Sequence, residues 1–157
     1  VLVASAAIYC ICSASVVAQE RVSTERARVQ KTVDVLAARL GIAEAVHVSL
    51  VPTNRLLMSV EQAEHTFELK VEEGWADALD DAELDAAVAH ELGHVWVFTH
   101  HPFLQTEQLA NEVAMRIVSA KQLAQLYDKV WKRTNVKGDL ARFLGPEVAR
   151  GLASPEN

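Results

Sequence analysis

The chain has only two cysteines, Cys10 and Cys12, and both lie in a stretch at the N-terminal end that carries no charge. If residues 1–18 are removed, no thiol remains, so disulfides, thiolate metal sites and cysteine nucleophiles are all excluded. Clustered positive charge is lacking too. The net charge is −6, and even Lys132-Arg133 is only a pair. A nucleic-acid binder needs grouped Lys and Arg for its phosphate contacts, so that class is set aside. After residue 20 the sequence has no repeat, low-complexity tract or linker. At 157 residues it has length for one domain with a proper core, expected over residues 19–157.

What is present begins with the uncharged run VLVASAAIYCICSASVVA, ending in Val16-Val17-Ala18. It reads as a secretory signal cleaved before Gln19, or as an uncleaved membrane anchor. Either reading exports the rest of the chain and makes membrane attachment through residues 1–18 an alternative to full secretion.

Beyond it, Val22, Val29, Val33, Leu36 and Leu40 share one helical face, and Gly41 suits the helix end. Such a helix packs on the core or covers a cleft. Val46 to Val51 alternates as a strand and stops at Pro52-Thr53-Asn54. Leu56–Glu61 and His65–Val71 predict two more strands joined by a turn at Gln62-Ala63-Glu64, the second expected as an edge strand. A short helix or turn follows over Glu72–Leu79, and Asp80 with Glu83 predicts a capping box. The next helix, from Asp81 to about Phe98, is apolar almost all round and belongs at the centre. A long helix is expected from about Phe103 to Lys132, then a break at Asn135–Gly138, a short helix and a polar tail, Ser154–Asn157. The predicted class is α+β: an N-terminal helix, a small three-stranded sheet, and a central helix paired with a long antiparallel helix.

The chemistry lies in His90-Glu91-Leu92-Gly93-His94. One helical turn apart, the two imidazoles project from the same face and can share a tetrahedral zinc ion at about 2.0–2.1 Å. Glu91 is offset around the axis, beside the metal, where a general base belongs. Three ionisable groups on so apolar a helix would be costly to bury without a partner, and a metal ion supplies one. Gly93 permits close approach of another backbone or of substrate.

A third ligand is required. His100 stands where the metzincin pattern has its third histidine, but that pattern turns on a glycine where this chain has the β-branched Val97. Glu107 is the expected ligand, brought level with His94 by a helix that doubles back after His100–Pro102. Asn111 shares its face and can orient a histidine from behind, and Glu112 is the fallback.

Two separated stretches carry a family resemblance. Leu69 to Val95, LKVEEGWADALDDAELDAAVAHELGHV, followed by Glu107-Gln108-Leu109-Ala110-Asn111, resembles the catalytic core of gluzincin metallopeptidases of the HtpX and CAAX-prenyl-protease type. The glutamate of that family's E-x-x-A-D motif is a zinc ligand, which implies the same for Glu107. Asn111 stands where the family has Asp. The resemblance implies a minimal zinc metalloendopeptidase hydrolysing peptide bonds of peptides or unfolded proteins, with Glu91 as general base. The alternative is an inactive, zinc-stabilised binding or chaperone-like domain. Peptide deformylases share the histidine spacing but take a cysteine as third ligand, and none remains outside the leader. Candidate oxyanion donors are His100, His101, Arg116 and Tyr127. Trp75, Trp96, Trp131, His47 and His65 receive no role.

Overall fold

The structure, a computed structural model, describes residues 5–153, with side chains from residue 17 onward. The polar tail, Ser154–Asn157, lies outside the described residues, as do residues 1–4 and the leader's side chains up to residue 16. Among the described residues no helix is long and apolar enough to cross a membrane.

Helix α1 (Ser5–Leu40) runs unbroken through the proposed cleavage point. Val29, Val33, Leu36 and Leu40 are buried, one to two turns apart, as the periodicity predicts. The helix stops at Gly41, whose φ of +69° only glycine adopts cheaply. There Gly41 N–H donates to the Ala38 carbonyl and Ile42 N–H to that of Ala37, which satisfies the last carbonyls.

The sheet comprises β1 (Val46–Val51), β2 (Met58–Ala63) and β3 (Thr66–Glu72), in the order β1-β3-β2. β3 pairs parallel with β1 and antiparallel with β2. The expectation that β3 is an edge strand is therefore wrong: it is central, and β1 and β2 are the edges. Alternation of Phe67, Leu69 and Val71 reveals one buried face, but hydrogen-bond partners lie in the plane and leave no mark on that pattern. The β2–β3 turn is tighter than expected, since Ala63 pairs with Thr66 and Glu64 takes a φ of +54°.

A 3-10 turn at Ala76–Ala78 leads into α2 (Asp81–His100). The capping box forms as expected: Glu83 N–H donates to Asp80 at 2.8 Å and Asp80 N–H to Glu83 at 2.9 Å. α2 is central, touching α1, β2 and the following helices.

The returning segment is helical but in two pieces, α3 (Glu107–Ala114) and α4 (Ala120–Thr134). α3 begins at Thr106, whose hydroxyl accepts from Leu109 N–H. α4 restarts at a second capping box, Ser119 with Gln122. That box is visible in the sequence, but the apolar periodicity continues across it and masks the break. Asn135, left-handed at φ 54°, ends α4 within the expected break. Two short helices follow, α5 (Leu140–Leu144) and α6 (Pro146–Ala153), divided by Gly145 at φ +88°.

Candidate metal centre

The site is built where α2 and α3 touch. A Cβ added to Gly93 would sit 2.2 Å from the carbonyl oxygen of Ala110 and 2.9 Å from its carbon. Only glycine lets the two backbones meet this closely. As the contacts step from His94 back to His90 on α2, they step from Glu107 on to Asn111 on α3, so the two helices run antiparallel.

This contact seats the predicted residues. Nε2 of His90 lies 3.3 Å from one carboxylate oxygen of Glu107, and Nε2 of His94 lies 3.7 Å from the other. The two imidazole rings are 4.8 Å apart at an angle of 84°. One ligand atom each from His90, His94 and Glu107 falls within 4.8 Å of the others, a group that can hold a metal ion.

Asn111 is fully buried behind this group. Its Oδ1 lies 2.9 Å from His90 Nδ1, while its Nδ2 donates to the Tyr127 hydroxyl at 2.7 Å and to the Phe143 carbonyl at 3.0 Å. With Nδ1–H held by Asn111, the free lone pair of His90 is on Nε2, which faces Glu107.

The electrostatics suit a cation. Burial works against a charged His90, but hydrogen bonding to Glu107 and the nearby Glu91 outweigh it, and its pKa rises. Hydrogen bonds from His90 and His94 pull Glu107 well below the usual carboxylate range, although it is half exposed. Glu91 is almost buried, and desolvation raises its pKa against the lowering influence of the two histidines and the Val60 backbone. The group thus attracts one positive charge from several directions.

In front lies a cleft of about 620 Å³, with His90, Glu91, His94 and Glu107 among its lining. α2 forms its floor, β2 one wall and α4 the other, with Phe143 of α5. No described residue of α1 lines it, and Val29, Val33, Leu36 and Leu40 pack α1 against the core. Its grip falls on the turn before α2, where buried Glu25 accepts from the Gly74 and Ala76 amides.

The remaining candidates are elsewhere. His100 stacks on Trp96, ring centroids 4.0 Å apart and nearly parallel, and its Nδ1 lies 2.9 Å from the Trp96 carbonyl. It is not in the metal-binding group, because α2 continues to His100 without the turn that would bring it back. Arg116 lies over the same indole at 4.3 Å, and His101 is beside it. Glu112 is exposed and accepts from Gln108. Of the four oxyanion candidates only Tyr127 lines the cleft, and its hydroxyl is on the Nδ1 side of His90, 3.5 Å away. Burial raises the pKa of that phenol, which keeps it protonated. His47 and His65 are exposed on strand β1 and the β2–β3 turn. Trp75 and Trp131, given no role from sequence, both line the cleft. Nothing in local spacing marks them, because the cleft is assembled from separate elements.

The fold is similar to the crystal structure of the metallopeptidase zymogen of Pyrococcus abyssi abylysin, with a TM-score of 0.54 and 14% sequence identity. The likeness covers 71% of this chain and 99% of that one. No family model matches the sequence, and no curated protein is similar to it in sequence. The chain therefore has a metallopeptidase-like fold with a His and Glu group that can bind a metal.

Proposed function

We propose that the chain is a zinc-dependent endopeptidase in which His90, His94 and Glu107 hold the metal and Glu91 is the general base. The observation that carries this is the convergence of three donor atoms within 4.8 Å at the head of a cleft that Glu91 also lines. Two imidazoles and one carboxylate are a common catalytic zinc set, and the half-exposed Glu107 leaves the group open on its cleft side. The Asn111 contact fits as well, since it leaves Nε2 of His90 free to ligate.

His90, His94 and Glu107 would hold the zinc ion, which would supply a water of lowered pKa and polarise a scissile carbonyl. Glu91, which lines the cleft beside the two histidines, would take the proton of the attacking water and deliver it to the leaving amine. Asn111 and Tyr127 hold the His90 ring in place. β2 is an edge strand, and Met58, Ser59, Val60 and Gln62 line the cleft, so β2 is positioned to pair with an extended substrate. A glutamate ligand on the helix after the histidine pair supports the gluzincin reading of the HtpX and CAAX-prenyl-protease type. In this reading the substrates are peptides or unfolded proteins, and residues 1–18 export the enzyme or tether it to a membrane.

The test is cleavage of an unfolded protein by the zinc-loaded chain beside its Glu91→Gln variant, with bound zinc measured in both. Activity should fall by about 10²–10⁴-fold in the variant with zinc retained. Equal cleavage by both would remove Glu91 from the mechanism. Zinc binding without cleavage by either would favour the zinc-stabilised binding domain.

A further inference from the structure

We infer that the outer edge of β1 is a strand-pairing surface for a second copy of the chain, and that the side chain of Gln30 holds it shut. The inference is independent of the metal centre, since no residue of β1 lines the cleft. The surface in question is the side of Val46–Val51 that faces away from β3.

A strand in a parallel pair turns its backbone groups alternately toward its partner and away from it. The Phe67 amide donates to the Ala45 carbonyl and the Glu73 amide to that of Val51, so the odd-numbered residues of this stretch address β3. Val46, Val48 and Leu50 therefore address the outer edge. Gln30 of α1 meets two of their groups. Its Nε2 donates to the Val46 carbonyl at 2.9 Å, and its Oε1 accepts from the Val48 amide at 2.9 Å. One side chain thus supplies the donor and the acceptor that a neighbouring strand would supply. Asp34, one helical turn further on, fixes which way the amide points, because Nε2 also donates to its Oδ1 at 2.9 Å. A flipped amide would aim Oε1 at two acceptors.

The sequence of β1 gives that edge no protection of its own. Edge strands are ordinarily kept from pairing by charged residues, proline or a bulge. β1 reads Val-His-Val-Ser-Leu-Val, without Lys, Arg, Asp, Glu or Pro. β2, the other edge of the sheet, carries the exposed Glu61. With the Gln30 amide removed, the Val46 carbonyl and the Val48 amide are left to find other partners. A second β1 edge fits them. Two identical edges pair antiparallel about a twofold axis, each offering the other the same groups. The uncharged sequence then sets no like charges opposite one another.

The experiment uses the full chain, so that any association through residues 1–18 is common to parent and variants. Gln30→Leu keeps the bulk of the side chain and removes both bonds to β1. Gln30→Lys removes the acceptor for Val48 and sets a charge on the edge. In Gln30→Lys, hydrogen exchange at the Val48 amide should quicken by about tenfold, while Ser49, whose amide addresses β3, keeps its rate. In light scattering, Gln30→Leu should dimerise at concentrations about tenfold or more below the parent, and Gln30→Lys should not. In that dimer the Val48 amide should be protected again, which locates the contact on β1. An unchanged Val48 rate in Gln30→Lys would show that Gln30 does not hold this edge shut. Association of Gln30→Leu no stronger than that of the parent, or association that leaves the Val48 amide fast, would equally overturn the inference. If Gln30→Leu does not fold, Gln30→Ala is read in the same way.

Discussion

The two sides of α2 solve opposite problems with similar residues. Toward α3 the helix is closed: Gly93 lies against the Ala110 backbone, and Asn111 is buried with its side chain bonded to His90, Tyr127 and Phe143. Toward the cleft the same helix presents Ala87, Glu91 and His94 to open space, bordered by apolar side chains that fill nothing. The closed side fixes ligand positions, which a metal site needs to within a fraction of an ångström. The open side leaves Glu91 and His94 facing the cleft. An apolar helix surface is therefore core on one side and binding surface on the other, and the difference lies in what packs against it.

The comparison breaks most severely at Gly93. Helix propensity favours Gly93→Ala by about 1 kcal/mol, whereas the overlap with the Ala110 backbone is expected to cost about 3 kcal/mol or more. The variant should unfold at clearly lower urea and lose zinc affinity as α3 and Glu107 move away. A variant more stable than its parent would show that the two helices do not meet this closely.

Next in size is Asn111→Asp, which restores the acidic residue of the family that the sequence resembles. A carboxylate still accepts from His90 Nδ1–H, but it cannot donate to Tyr127 or to the Phe143 carbonyl. Stability should fall by about 1–3 kcal/mol in chemical unfolding, with zinc still bound. Unchanged stability would mean that the amide does not tie α3 to α4 and α5.

The smallest effect is expected at the exposed loop between α2 and α3. Phe103 is 97% exposed, so Phe103→Ser should change unfolding free energy by no more than about 0.5 kcal/mol. A larger loss would reveal packing of this ring that the structure does not contain.

How much of this was legible depended on distance along the chain. The Asp80 and Glu83 box, the helix end at Gly41 and the shared face of His90 and His94 follow from neighbours within a turn or two. Glu107 was reachable too, because a short connection between antiparallel helices leaves few ways to place it. The central position of β3 was not, since β1 and β2 claim its two edges from far away in sequence. The interruption before Ser119 is hidden because the apolar periodicity that continues across it outweighs the cap signal. Trp75 as part of the cleft had no local mark at all.

By itself, the sequence determined that two histidines and a glutamate share one apolar helix, because helical geometry depends only on spacing and on hydrogen bonds four residues back. Tertiary structure alone decided that it is His90 which Asn111 braces, together with Tyr127, and that a strand edge and α4 enclose an apolar cleft beside Glu91. Those outcomes depend on how closely separate backbones approach and on which polar groups are left to pair. Both are settled only when the whole core packs at once.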